Sequence, residues 1–299
     1  MDTSPQPLLV SPSRVATFID CPKKYHYIYD LDLTPVGPAK GYFTKGIYFH
    51  ELMHVYYQML QAGVPPGDDY ALASVMTRIK NDMSKTGLDD FIPVYASIGR
   101  MISTFIRSQS PVIDMNMDVE TVEAELIYPI SDEVSLFGYA DLLYRRDGRP
   151  HVRDHKTGER AWTKIDVRFS MQLLFYATLY WKMYGDVPIA EISYINSKEY
   201  KNKQASFEEM FTYTNITYTE KELSIFYDDI CKAVDRMLSY EAFPLYGQHC
   251  RYCPFQEPCF LSRKGIDTSI VLANNFKKRD SARRHANFTE SNTNDDQTD

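Results

Sequence analysis

The dipeptide Asp147-Gly148 stands between two runs of strand character. It is a strong signal for a tight hairpin turn. Residues 134–145 precede it and residues 150–156 follow, so two strands are predicted to pair through that turn. Side chains alternate along a strand with period two, which puts Asp154 and Lys156 on one face. The hairpin can then bring Asp141 beside them.

The surrounding pattern divides the chain. Ser11 and Pro12 fit a helix start, with Val15, Phe18 and Ile19 at helical spacing and Pro22 placed to kink or restart the helix. A helix is predicted over 46–61, where Ile47, His50, His54, Tyr57 and Gln61 share a face. Further helices are expected near 70–85 and 95–108. Strand character begins at 119–130, turns at Ser131-Asp132-Glu133 and continues through the hairpin. A helix over 167–184, strands over 189–196 and 207–217, and a helix over 219–240 capped by Thr219 with Glu222 complete the body. The fold class is α/β, in the α+β sense: a mainly helical N-terminal part, then a sheet core flanked by helices. No internal repeat is found.

Composition narrows the class. The 299 residues are 44% hydrophobic and 24% charged, which excludes a disordered chain, a collagen-like repeat and a disulfide-dense miniprotein. The net charge of −7 would seem to oppose nucleic-acid binding. However, Glu290, Asp295, Asp296 and Asp299 lie in a polar tail, and a divalent cation would offset part of the charge on Asp141 and Asp154. Any DNA-facing surface must therefore be judged locally. No apolar run approaches a membrane span and no secretory signal is visible. The expectation is a cytoplasmic protein, or one of the host cytoplasm if the chain is viral.

Two carboxylates and an ammonium on one sheet face make a site for a hard cation such as Mg²⁺ or Mn²⁺. Such an ion can activate water and stabilise charge at phosphorus, with Lys156 positioning the water or neutralising the developing anion. The bland alternative is a surface hairpin with scattered charges.

With Thr157-Gly158 and a helix after it, this arrangement resembles the PD-(D/E)XK nuclease superfamily. Other segments resemble its RecB-like branch. Gly46-Ile47-Tyr48-Phe49-His50 matches a Gly-x-x-x-His motif whose histidine binds metal, and Gln172-Leu173-Leu174-Phe175-Tyr176 matches a Gln-x-x-x-Tyr helix that contacts the active site and DNA. Ser13, Phe18, Cys21-Pro22 and Tyr25 are similar to its N-terminal segment. Ala140-Asp141 stands where the superfamily's name has Pro-Asp. The resemblance implies a restriction-endonuclease-like central mixed sheet. It implies metal ligands His50, Asp141, Asp154 and the main-chain carbonyl of His155, with Glu125 preferred over Glu123 as a further acid. It also implies catalytic roles for Asp141, Asp154, Lys156, Gln172 and Tyr176.

Cys250, Cys253 and Cys259 form a C-x2-C-x5-C run, and Cys21 supplies a fourth thiol. Four thiolates suit zinc or an iron–sulfur cluster, and spacing alone does not decide. The resemblance, which extends to CRISPR-associated RecB-like exonucleases and the AddB nuclease domain, implies a 4Fe–4S cluster. His249 keeps a zinc site open. Cys231 reads as a buried, inert thiol.

His50-Glu51-Leu52-Met53-His54 is also a literal His-Glu-x-x-His, the zinc metalloprotease pattern. That reading leaves the carboxylates, Lys156, Gln172 and the clustered cysteines without roles.

The expected organisation is an N-terminal extension over 1–10 and one nuclease domain over 11–260. The domain divides at 11–110, 118–218 and 219–260, and a tail follows over 261–299. The expected activity is metal-dependent DNA exonuclease hydrolysis in recombination, repair, phage DNA processing or CRISPR adaptation. The alternative is a DNA-end-binding or trimming subunit working with recombination or CRISPR adaptation proteins. Arg14, Lys23, Lys24 and Lys45 are candidate DNA contacts, and Lys277, Lys278, Arg279, Arg283 and Arg284 form a basic run.

Overall fold

The computed structural model describes residues 7–37, 41–64, 73, 76–81, 95–99, 101, 116–158, 160–196 and 211–279. In chain order these form β1 (Leu8–Val10), α1 (Pro12–Asp20), α2 (Pro22–Tyr25), a π-helical turn (His26–Asp30), β2 (Leu33–Pro35) and α3 (Gly41–Gln61). Then come β3 (Asp118–Pro129), β4 (Val134–Arg146), β5 (Arg149–Gly158), α4 (Lys164–Arg168), α5 (Met171–Tyr184), β6 (Ile189–Asn196) and β7 (Phe211–Thr217). The chain closes with α6 (Glu220–Leu238), a 3₁₀ turn (Gln248–Tyr252), α7 (Gln256–Arg263), α8 (Ser269–Asn275) and β8 (Phe276–Lys278). Helical residues at 76–81 and 95–99 fall within the two further predicted helices, whose remaining residues lie mostly outside the described ones. No described helix is long and apolar enough to cross a membrane.

The chain forms two units. The first comprises Met1–Val15 and Pro38–Asp235. It is built on a mixed sheet in the order β1-β4-β5-β6-β7, with β3 also on β4. Thus β3 takes one edge of the long β4, while β1 and β5 take opposite ends of its other edge. The β4–β5 turn has Asp147 at φ 52° and Gly148 at φ 73°, and pairing begins directly at Arg146↔Arg149. Two positive-φ residues match the twist of the flanking strands, as the sequence predicts. β5 and β6 run parallel, so the chain between them crosses over through α4 and α5.

Two local differences from the sequence reading stand out. Leu8–Val10, within the segment read as an extension, pairs in parallel with Val134–Leu136. The helix expected over 167–184 is two helices. Ser170 is extended, and its hydroxyl accepts from the Leu173 amide at 3.3 Å, capping α5 and separating it from α4. Thr219 and Glu222 form the expected capping box, with bonds of 2.7 and 3.2 Å.

One core of this unit packs Phe49, Leu52, Met53, Tyr56 and Tyr57 of α3 with Leu142, Tyr144 and Ile195 of the sheet. Another packs Leu173 and Ala177 of α5 with Ala190, Ile192, Tyr194 and Ile216.

The second unit joins Ala16–Gly37 to Arg236–Asp299. Its small antiparallel sheet pairs Leu33–Pro35 with Phe276–Lys278. Tyr27, Phe255 and Phe276 stack in sequence, with ring centroids 4.9 and 4.7 Å apart. Pro22 restarts the helix after an extended Cys21, since proline is tolerated where no amide donor is needed.

Candidate active site

Pairing of β4 with β5 runs from Arg146↔Arg149 to Leu142↔Arg153 and stops there. The next residues are Asp141 and Asp154. β5 continues along β6 as far as Gly158↔Asn196, so the two strands part at the carboxylates. Asp141 reaches into the gap, where its Oδ2 accepts from the His155 amide at 2.6 Å.

Two helices complete the arrangement. α3 places His50 Nδ1 3.4 Å from Asp141 Oδ2. From α5 come Gln172 and Tyr176. Lys156 Nζ lies 2.5 Å from Asp154 Oδ2 and donates to Gln172 Oε1 at 2.8 Å. Gln172 Nε2 in turn donates to the Tyr176 hydroxyl at 2.8 Å. Gly138 makes this approach possible. A Cβ there would lie 2.5 Å from Tyr176 Cε1, so the tyrosine ring occupies the space of the missing side chain.

Burial and charge act together on these groups. Asp154 is 1% exposed, and burial raises its pKa against the opposing charge of Lys156. Burial also disfavours ionisation of Asp141, but His50 and the His155 amide hold its carboxyl well below the usual range. Burial would lower the His50 pKa, yet Asp141 carries it up to about 9. Burial alone would neutralise Lys156 as well; Asp154 and Asp141 keep it an ammonium.

The further acid in this cluster is Glu123. Burial, then the nearby Asp141 carboxylate, pushes it up to about 8. The sequence reading preferred Glu125, but that carboxylate accepts from the Tyr139 hydroxyl at 2.8 Å. Both glutamates have the same strand parity, so alternation could not separate them. A register shift between Val119 and Thr121, and φ of 53° at Glu123, mark a local distortion of β3.

The donor set fits a hard divalent cation. Asp154 Oδ1 is buried without a hydrogen-bond partner while Oδ2 faces Lys156, and Glu123, Asp141 and Asp154 crowd like charges that a cation would relieve. Among the described residues no three such side chains already converge as a metal-holding group. His50 and Lys156 instead lie against the two aspartates.

Sequence reasoning missed the support behind this site. Arg153 is 0% exposed. It pairs with Glu191 through Nε and donates to the Tyr57 hydroxyl at 2.6 Å and the Tyr144 hydroxyl at 3.2 Å. The Tyr57 ring stacks on His155 at 5.4 Å and 9°. A buried ion pair thus fixes α3 and the ring next to the reactive strand. The available signal was parity alone, since Arg153 alternates with Asp154 and shares its face with His155.

The first two residues of the His-Glu-x-x-His motif serve different partners. His50 meets Asp141, whereas Glu51 pairs with Arg78. Burial lowers the His54 pKa. Of the candidate DNA contacts, Arg14 donates to the Leu9 carbonyl at 3.0 Å. The Lys45 side chain lies outside the described residues, as do Arg283 and Arg284 of the basic run.

Lys23 and Lys24 belong elsewhere, beside the cysteines of the second unit. Cys21, Cys250, Cys253 and Cys259 line one cavity of about 150 Å³, with Lys23, Lys24 and Arg263 among its other walls. Burial raises the thiol pKa of Cys259, as do Cys21 and Cys250. Cys231 is half-buried rather than buried, and desolvation raises its pKa.

The PD-(D/E)XK nuclease superfamily model matches residues 9–260. No curated protein matches. Among solved structures, SSO0001 aligns at 13% identity and TM-score 0.40, covering 86% of this chain and 87% of its own. A presumed exonuclease from Eubacterium rectale aligns at 11% identity and TM-score 0.46, covering 81% and 86%.

Proposed function

Because the chain belongs to the PD-(D/E)XK nuclease superfamily, we propose that it hydrolyses phosphodiester bonds of DNA with Mg²⁺ or Mn²⁺, acting as an exonuclease. The observation that carries this reading is the meeting of Asp141, Asp154 and Lys156 where β4 and β5 part. Asp141, Asp154, Glu123, His50 and the His155 carbonyl would hold the ion. When bound, the ion supplies Lewis acidity, offsetting phosphate charge and making water more acidic.

The chain's own groups do the rest. Lys156 keeps a positive charge at the reacting face and donates to the water or to the developing anion. Gln172 holds that ammonium in line, and Tyr176 holds Gln172. Purified protein should degrade DNA only with divalent metal, and Lys156→Ala should stop it. Metal-dependent digestion that survived Lys156→Ala and Asp154→Asn would sink the assignment.

Cys21, Cys250, Cys253 and Cys259 would hold a 4Fe–4S cluster. The support is one cavity reached by four thiols from distant parts of the sequence, with three cationic side chains to offset thiolate charge. Such a cluster would cross-link the two segments of the second unit. Iron and acid-labile sulfide at four each per chain are expected; a colourless protein with one zinc would replace the cluster. Biological placement in recombination, repair, phage DNA processing or CRISPR adaptation, with proteins of those systems as partners, follows from the resemblance and is tested by co-purification.

A further inference from the structure

We propose that the crossover between β5 and α5 carries a stacking pocket for an unpaired base of the DNA strand being cut; this rests on the nuclease reading above and specifies its substrate as single-stranded or frayed.

The crossover leaves β5 just after Lys156 and enters α5 just before Gln172, and these two side chains are 2.8 Å apart. The intervening segment, which includes α4, therefore has two ends that meet at the candidate site. An open surface pocket of about 560 Å³ lies on it, lined by Arg160, Trp162, Ile165, Asp166, Phe169 and Ser170. Such a volume lies in the usual range for small-molecule sites.

Its walls are unusual for a solvated loop. Phe169 is 74% exposed and Ile165 66% exposed. Trp162 is half-buried, packed on the core beneath α5, and is thus a fixed aromatic wall. The loop is held rather than loose. Thr163 and Asp166 form a capping box, and Ser170 caps α5. A rigid platform keeps two large apolar side chains in water, an arrangement that favours binding a flat apolar face. A base supplies that face, and only an unpaired base offers it freely.

The remaining walls suit the rest of a nucleotide. Arg160 is 81% exposed at its side chain, and its Nη2 is 3.5 Å from Asp166 Oδ1. An exposed pair of this kind contributes little, so the guanidinium can turn to a phosphate. The spacing also fits. Arg160 is four residues from Lys156 and Phe169 three from Gln172, at most about 14 and about 11 Å of extended chain. At about 3.4 Å per nucleotide in a helical strand, the pocket lies within about four nucleotides of the reacting phosphate.

The test uses the full chain in chelator, which halts hydrolysis. Single-stranded oligonucleotides with 2-aminopurine at successive positions near one end are titrated, and a blunt duplex serves as control. Wild type should quench the probe at one or two positions. Phe169→Ala should abolish that quenching and weaken single-strand binding about tenfold, Ile165→Ala should weaken it less, and Phe169→Trp should restore it. Duplex binding should be unchanged by all three. Unaltered single-strand binding in Phe169→Ala, or equal loss on duplex, would overturn the pocket and leave the patch as a protein-docking surface. Restoring Mg²⁺ or Mn²⁺ separates the two claims. Quenching without hydrolysis would defeat the nuclease reading alone, and hydrolysis indifferent to Phe169 would defeat the pocket alone.

Discussion

The parting of β4 and β5 and the cysteine cavity both gather donor atoms, but they are stabilised differently. At the strands, each buried charge already has a protein partner. His50 meets Asp141, Lys156 meets Asp154, and Arg153 is held by Glu191, Tyr57 and Tyr144. In the cavity, four free thiols face one another with cationic side chains at the margin. The first region can fold without a bound ion, because ion pairs and hydrogen bonds offset desolvation. In the proposed reading the second would gain a further cross-link, beside the Leu33–Pro35 and Phe276–Lys278 pairing, from a group brought from outside.

The largest expected effect tests the first half of that contrast. Asp154→Asn should reduce DNA hydrolysis about a thousandfold or more. It should lower the thermal midpoint by only a few degrees, because Lys156 loses its main counter-charge but keeps Asp141 nearby and Gln172 as an acceptor. Turnover assays and calorimetry on the same preparation check this. A collapse in folding would mean that the carboxylate is structural.

Next comes the cavity. Cys253→Ser should lose the iron–sulfur colour and expose the amides of the Leu33–Pro35 and Phe276–Lys278 pairing to exchange. Amides of β4 and β5 should keep their protection. Equal loss in both units would erase the contrast, since it would make the cluster a scaffold for the whole chain.

The sequence carried much of the first region and little of its support. A two-residue turn specifies register, so the encounter of Asp141 with Asp154 and Lys156 followed from Asp147-Gly148 and strand parity. The position of His50 on a helix face was likewise readable. The nearness of Glu123 rather than Glu125 to Asp141 was not, because period two cannot distinguish residues of equal parity and the β3–β4 register separates them: Glu125 faces Tyr139, while Glu123 lies between the pairs Val122↔Leu142 and Ala124↔Ala140. Nor was β1, whose three residues are too few to show a period. Buried Arg153 reads in sequence like any solvated arginine; its partners are contributed by α3, β4 and β6.

That arginine and Glu191 form a buried pair whose loss can be measured. Arg153→Met should cost about 3–5 kcal/mol in denaturant unfolding, because it strands Glu191 in the core. Arg153→Met combined with Glu191→Leu should recover much of the loss. If the double variant regained stability but not activity, the pair would be needed to hold Tyr57 and His155 in place. Recovery of both would make it only a packing element.

The smallest effect separates two histidines of the same unit. His151 is 5% exposed and stacks on Tyr144 at 4.5 Å. Burial pushes its pKa down to about 4, with Glu191 opposing and Arg146 reinforcing the shift. The unfolded chain protonates it near 6.5, so stability falls as pH drops from about 6.5 toward 4. His50, raised to about 9, acts oppositely: its contribution is full below about 6.5 and is lost as pH rises through 9. His151→Phe should flatten the acid limb by on the order of 1 kcal/mol and leave the alkaline limb intact. Part of the acid slope should survive, because His155, pushed by burial to about 3, acts in the same direction. Denaturant unfolding from pH 4 to 9 resolves both limbs. An acid limb unchanged in His151→Phe would assign that slope to the partners around Asp141 and Asp154 instead.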